Sequence, residues 1–266
     1  MDRIGVLAIV FLAVSAVFSM LGMGGGILYV PILLFSGTPM REAPAISLVL
    51  IFATSLAALT TYWRSGRVDW KLALVIDPPT DVMAFVGGYA SGLVPEPVLE
   101  GILAAVLVLA GLLMLRRQVG PAARPRERRG WWWWRRSFAG EEYAVHLPLV
   151  LTVTAAVGLL SGMLGITGGI LKLPVMVLAC GVPMDIAVGT STVMVAVTAA
   201  CGLAGHALHG PVAWGPAGIL AVAALVGGLI GSRISLAVDR GKLRRLFGLV
   251  LLAIAARIAL RLVTGR

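Results

Sequence analysis

The chain has 266 residues, of which 59% are hydrophobic and 13% charged, and its mean hydropathy is +0.97. A soluble domain carries about 25% charged residues, and a core of this length cannot hide so much apolar side chain, so a soluble globular fold is excluded and an integral membrane protein is expected. The net charge of +10, from 22 Lys and Arg against 12 Asp and Glu, asks where the basic residues sit before any anionic partner is named.

Residues 4–18 form the first apolar run, after a single Arg. No small-x-small site precedes a polar segment, so the run does not read as a cleaved signal. It leads directly into Met20-Leu21-Gly22-Met23-Gly24-Gly25-Gly26-Ile27-Leu28-Tyr29-Val30-Pro31. Glycine clusters break helices, because glycine loses the most backbone entropy on ordering. The second arm, 26–36, has 11 residues, too short to cross the ~20-residue hydrocarbon slab unaided, so the two arms are expected to enter and return as a hairpin.

Three apolar segments follow at 43–63, 68–93 and 96–115. The middle one contains Asp77-Pro78-Pro79-Thr80-Asp81. Asp77 reads best as the cap of a helix that starts at Pro78. Asp81 has no such explanation, and an intramembrane carboxylate points to a proton or cation relay. Gly87, Gly88 and Gly92 place small residues where helices approach closely, which is packing rather than chemistry.

Residues 116–146 are a basic linker. Arg116, Arg117, Arg124, Arg126, Arg128, Arg129, Arg135 and Arg136 crowd it, with Trp131 to Trp134 alongside. A cytoplasmic loop obeying the positive-inside rule, with an aromatic anchor at the lipid interface, accounts for both. Membrane lipid is therefore the expected partner, and nucleic acid is not.

The second half repeats the first. Met163-Leu164-Gly165-Ile166-Thr167-Gly168-Gly169-Ile170-Leu171-Lys172-Leu173-Pro174 matches the first glycine cluster. Gly181-Val182-Pro183-Met184 matches Gly37-Thr38-Pro39-Met40, and Gly210 to Trp214 matches Gly66 to Trp70. Apolar runs at 147–164, 185–207, 213–236 and 242–262 complete it. The expectation is an all-α integral membrane protein of two pseudo-symmetric, inverted repeats, each a glycine-broken helical hairpin plus three transmembrane helices. Residues 1–115 form the first repeat, 116–146 the cytoplasmic linker and 147–266 the second repeat. The count of basic residues barely separates inverted from parallel halves. The short arm 26–36 and the cluster Arg240, Lys242, Arg244 and Arg245 favour inversion.

Backbone breaks inside a membrane are tolerated only in protein or beside a watery cavity, and matched breaks in two halves point to a transporter's binding site. The arms starting at Gly26 and Gly169 have N–H groups without intrahelical partners and the positive end of a helix dipole. That is a natural site for a small anion. The expected binding residues are Gly24, Gly25, Gly26, Gly168 and Gly169 through their backbone, with Tyr29, Ser47, Thr167, Thr190 and Ser191 as hydroxyl donors. Lys172 adds charge. A lysine within an apolar run marks function by default, against snorkelling to the interface; the hydroxyls stand evenly against back-bonding to helix carbonyls. Cys180 and Cys201 read as small apolar residues, with no disulfide framework and no CxxC metal site.

The glycine-rich break ending in Ile-Leu-x-x-Pro, Gly189-Thr190-Ser191 after Pro183, and Tyr62-Trp63-Arg64-Ser65-Gly66-Arg67-Val68-Asp69-Trp70 together resemble the TauE/SafE sulfite exporter family of anion permeases. The resemblance spans both halves and nearly the whole chain apart from the linker. It implies a prokaryotic inner-membrane carrier of sulfite or sulfur-containing organic anions such as sulfoacetate, moved outward. The sequence departs from the family pattern at Asp77 to Asp81 and in the long linker.

The expected function is thus export of sulfite or a small organosulfonate, with Asp81 coupling transport to protons, no cofactor, and no bar to a homo-oligomer. The rival is a divalent-cation permease using His206, His209, Asp77 and Asp81. The histidines lie at i, i+3 with no third ligand nearby in sequence, and a hydrogen-bonded or pH-responsive loop pair fits them better. An enzyme is not expected, because the chain reads as having no G-x-S-x-G, no H-E-x-x-H and no paired carboxylates on one face. A structural scaffold would leave Lys172 and Asp81 without a reason.

Overall fold

The computed structural model describes residues 3–20, 26–115, 131–210, 212–234 and 240–264. Gly24, Gly25, six linker arginines (Arg116, Arg117, Arg124, Arg126, Arg128 and Arg129) and the side chains of the Arg240–Arg245 cluster lie outside the described residues.

The chain runs through α1 (Arg3–Met20), α2 (Gly26–Phe35), α3 (Ala43–Arg64), α4 (Trp70–Ile76), α5 (Pro78–Ser91) and α6 (Glu96–Leu115). A β-hairpin follows, of β1 (Trp133–Phe138) and β2 (Glu141–His146). Then come α7 (Leu147–Leu164), α8 (Gly169–Pro174), a π-helical turn (Val175–Ala179), α9 (Met184–His209), α10 (Trp214–Ile234) and α11 (Arg240–Thr264). Five of these helices, α3, α6, α7, α9 and α10, are long and apolar enough to cross a membrane.

Two expectations are corrected. Segment 68–93 is two helices, α4 and α5, because Pro78 and Pro79 lack the N–H groups that would continue the ladder. The fold also contains strands. β1 and β2 pair antiparallel, with Trp133 opposite His146 and Arg136 opposite Tyr143. The turn between them, Ala139-Gly140, has φ of 52° and 80°, the two left-handed residues of a tight hairpin turn.

The longest packed seams join elements far apart in sequence. α1 lies on α10 and α7 on α5; α10 lies on α3 and α5 on α9; α3 meets α9 and α6 meets α11. Gly202, near the end of α9, lies against Leu48, near the start of α3, while Gly189, near the start of α9, lies against Arg67, just past α3. These two helices are therefore antiparallel. So are α6 and α11, since Gly111 meets Leu252 and Gly248 meets Leu115.

The path of α7 and α8 follows from two backbone hydrogen bonds. Leu147 N donates to Trp132 O at 3.0 Å where α7 leaves the β-hairpin, and Ala144 N donates to Cys180 O at 3.3 Å where the chain comes back after the π-helical turn. The unit goes out and returns to the same end of the molecule. Its tightest packing is at Gly162, where any Cβ would run into the backbone of Ala84.

Candidate functional site

The second glycine break is unwound and buried. α7 ends at Leu164, and Gly165 turns the chain with a left-handed φ of 64° that a glycine adopts without steric cost. Two serine hydroxyls satisfy the exposed carbonyls: Ser47 Oγ donates to Gly165 O and Ser161 Oγ to Ile166 O, each at 2.5 Å. α8 then starts at Gly169, with Lys172 N bonded to Gly168 O at 2.9 Å. The hydroxyl of Thr167, a residue 3% exposed, has no hydrogen-bond partner. A buried hydroxyl without a partner costs about 1–3 kcal/mol.

The second break meets the start of α2. Gly26, the first described residue after the first break, is buried beside Ile51 near the middle of α3, and a Cβ on it would stand 3.2 Å from Thr167 Cγ2. Ile27, Ser161, Ile166, Thr167 and Gly168 help to line one small cavity of about 10 Å³, room for about one water molecule.

Lys172 is buried, 1% exposed, and does not snorkel. Its Nζ donates to Asp77 Oδ1 at 2.5 Å and to Thr198 Oγ1 at 3.1 Å. The Thr198 hydroxyl donates in turn to Asp81 Oδ1 at 2.9 Å. Asp77 makes no capping hydrogen bond to α5, so the capping expectation is corrected: an ammonium in apolar surroundings claims the nearest carboxylate. In the first half Tyr29 holds the place of Lys172. Its hydroxyl bonds Thr54 Oγ1 at 3.0 Å, and Thr54 donates to Leu50 O at 2.8 Å. One break is thus flanked by a neutral pair and the other by a charged chain.

Thr190 and Ser191 have other company. Thr190 Oγ1 accepts Asp69 N–H at 3.0 Å, and Ser191 Oγ donates to Val188 O at 2.9 Å. His206 is held by both ring nitrogens, Nε2 with Gly162 O at 2.9 Å and Nδ1 with Ser91 Oγ at 3.2 Å. His209 stacks edge-on against Tyr89 at 5.5 Å. Among the described residues no group of three His, Cys, Asp or Glu side chains could hold a metal ion. Both histidines line a separate vestibule of about 410 Å³, with Arg41, Glu42 and Ser91.

A second polar cluster joins the linker to both halves. Asp69 caps α4 by accepting from Lys71 N and Leu72 N, each at 3.1 Å. Arg136 of β1 reaches it with two bonds of 2.9 Å, and the Tyr143 hydroxyl of β2 donates to it as well. Burial pushes the Asp69 carboxyl up, but the Arg136 guanidinium, the Tyr143 hydroxyl and the Leu72 amide outweigh it and hold the group below its usual range. The stabilisation is therefore complete above the ordinary carboxylate pKa of about 4 and is lost as pH falls through the lower folded value. Arg136→Gln is expected to lower stability by about 2 kcal/mol. The difference in Tm from wild type should be constant between about pH 5 and 8 and shrink in stronger acid; thermal unfolding across pH checks it.

Sequence reasoning missed Thr198 and the pairing of Asp77. Both had a readable sign: Thr198 corresponds in the repeat to Thr54, and Asp77 and Asp81, four residues apart, share a helix face.

The chain matches known proteins over most of its length. The sequence model of the family described as Sulfite exporter TauE/SafE matches residues 7–258. The "Probable membrane transporter protein YunE" of Bacillus subtilis (strain 168) is 28% identical over 248 residues, covering 88% of each chain. A "Probable membrane transporter protein" of Xylella fastidiosa (strain Temecula1 / ATCC 700964) is 29% identical over 240 residues, covering 89% of this chain and 87% of the relative. Family, relatives and apolar helices agree on a multi-pass cell-membrane transporter rather than an enzyme. The chain belongs to the TauE/SafE sulfite exporter family.

Proposed function

We propose that the protein carries sulfite or a small organosulfonate across the membrane, binding it between the two glycine breaks. The observation that carries this reading is the buried, unpartnered hydroxyl of Thr167, a residue whose methyl group lies beside Gly26 at the start of α2. The family match favours a sulfur oxyanion and outward movement. Backbone amides of the breaks, including Gly24, Gly25, Gly168 and Gly169, hold the oxygens, with Thr167 as donor and Lys172 supplying charge. Tyr29, Ser47, Thr190 and Ser191 complete the site as it opens.

A cavity of about 10 Å³ does not admit such an anion, so the halves part to load it. The reading takes residues 1–115 and 147–266 as inverted repeats around the linker 116–146, supported by the antiparallel pairs α3–α9 and α6–α11 and by the out-and-back path of α7 and α8. Rocking one half against the other exposes the site to each side in turn. Asp81, bonded to Thr198, exchanges the coupling proton.

Uptake of labelled sulfite into proteoliposomes tests the reading. Lys172→Ala should abolish it; equal rates in the variant and wild type would remove Lys172 from the site. Thr167→Val should raise KM about tenfold, the loss of one hydrogen bond to a charged group. Asp81→Asn should flatten the pH dependence of the rate, and an unchanged pH profile would exclude the coupling role.

A further inference from the structure

Lys172, Asp77 and Asp81 form one linked cluster beside the second break. Lys172 runs along the second break: a Cβ on Gly168 would stand 3.4 Å from its Cε. Its ammonium lies between Asp77 and Thr198, and Thr198 leads to Asp81. Cys201 lies three residues beyond Thr198 on α9. His206, further along α9, is turned to Gly162 and Ser91. α7 carries no ionisable side chain along its length. The cluster thus holds one cation and two carboxylates, while α10, the counterpart of α5 in the sequence repeat, has no acidic residue.

A buried ammonium needs one counter-charge, and a second negative charge beside it is left uncompensated. With Asp77 answering Lys172, an anion at Thr167 adds a further negative charge that nothing else in the cluster compensates. The flexible four-carbon stem of a lysine lets its ammonium swing between partners, and in this chain the stem already lies over Gly168.

We propose that Asp77 is an internal stand-in for the cargo: the arriving anion takes Lys172 from Asp77, and Asp77 then takes up a proton, so that one proton travels with each singly charged anion in the same direction. This rests on the sulfur-oxyanion reading above. The step balances. A proton from water, passed by Asp81 one helical turn away, forms an O–H bond on Asp77; that bond breaks when anion and proton leave together at the other face and Asp77 regains Lys172. The net charge moved is zero. A single lysine answering a single negative charge also selects hydrogensulfite and alkylsulfonates over dianions.

Infrared difference spectroscopy on the full chain in lipid tests this, with methanesulfonate, which has no titratable proton near neutral pH, and sulfite as the added anions. Wild type should gain the carbonyl band of a protonated carboxyl, shifted in D2O. Asp81→Asn should keep the band, because Asp77 is its bearer. Asp77→Asn combined with Lys172→Gln, which removes both charges and keeps the volumes, should lose it. Anion-induced changes in the amide bands without a carboxyl band in wild type would overturn the proposal, as would a band surviving in the double variant. No difference spectrum with either anion would instead sink the sulfur-oxyanion reading, and this proposal with it.

Discussion

Asp77→Asn is expected to destabilise the protein by about 3–5 kcal/mol, the range for removing one partner of a buried ion pair. The Lys172 ammonium is fully enclosed, with Asp77 at 2.5 Å and the Thr198 hydroxyl as its other partner. An amide cannot replace the lost charge, and no bulk water reaches Nζ to solvate it. Adding Lys172→Gln to the same chain should return most of the loss, because a neutral, hydrogen-bonded pair of similar size needs no counter-ion. Thermal unfolding in one detergent compares the three proteins. A single variant as stable as wild type would mean that the ion pair is not closed in the membrane.

Gly162→Val is expected to cost about 3 kcal/mol or more, at the upper end for overpacking. The position is enclosed on three sides. A Cβ there would meet the backbone of Ala84 in α5, the Gly162 Cα packs on Gly202 of α9, and the Gly162 carbonyl accepts from His206. The atoms a Cβ would meet are the backbone of Ala84, so the helices themselves must separate, and the break beginning three residues later moves with them. Loss of a monodisperse peak in size-exclusion chromatography, together with a lower Tm, checks it. Gly101→Val, at a site with open space around it, should leave both unchanged.

Much of this was legible in the chain because the membrane makes local rules strict. The limits of α6 and α7 follow directly from the apolar runs 96–115 and 147–164. The second break fell where the glycines demanded it, at Gly165 to Gly168. What escaped was whatever depends on partners distant in sequence. Lys172 and Asp77 are 95 positions apart, and nothing near either residue names the other. The hairpin of β1 and β2 escaped for another reason. Its aromatic and charged residues also fit an interfacial loop, and only the left-handed Ala139 and Gly140 separate the two. Thr190, named as a cargo donor for its place in Gly-Thr-Ser, accepts the Asp69 N–H in this structure, a bond between residues 121 positions apart that its neighbours in sequence do not announce.

On the proposed reading, two helix breaks from opposite halves enclose one small oxyanion. Crystals grown with selenite, the selenium counterpart of sulfite, test it most directly through anomalous scattering. A single selenium peak within hydrogen-bonding reach of Thr167 Oγ1 and beside Gly26 is the result expected; a peak confined to the vestibule of His206 and His209, with the space at Thr167 unchanged, would contradict it.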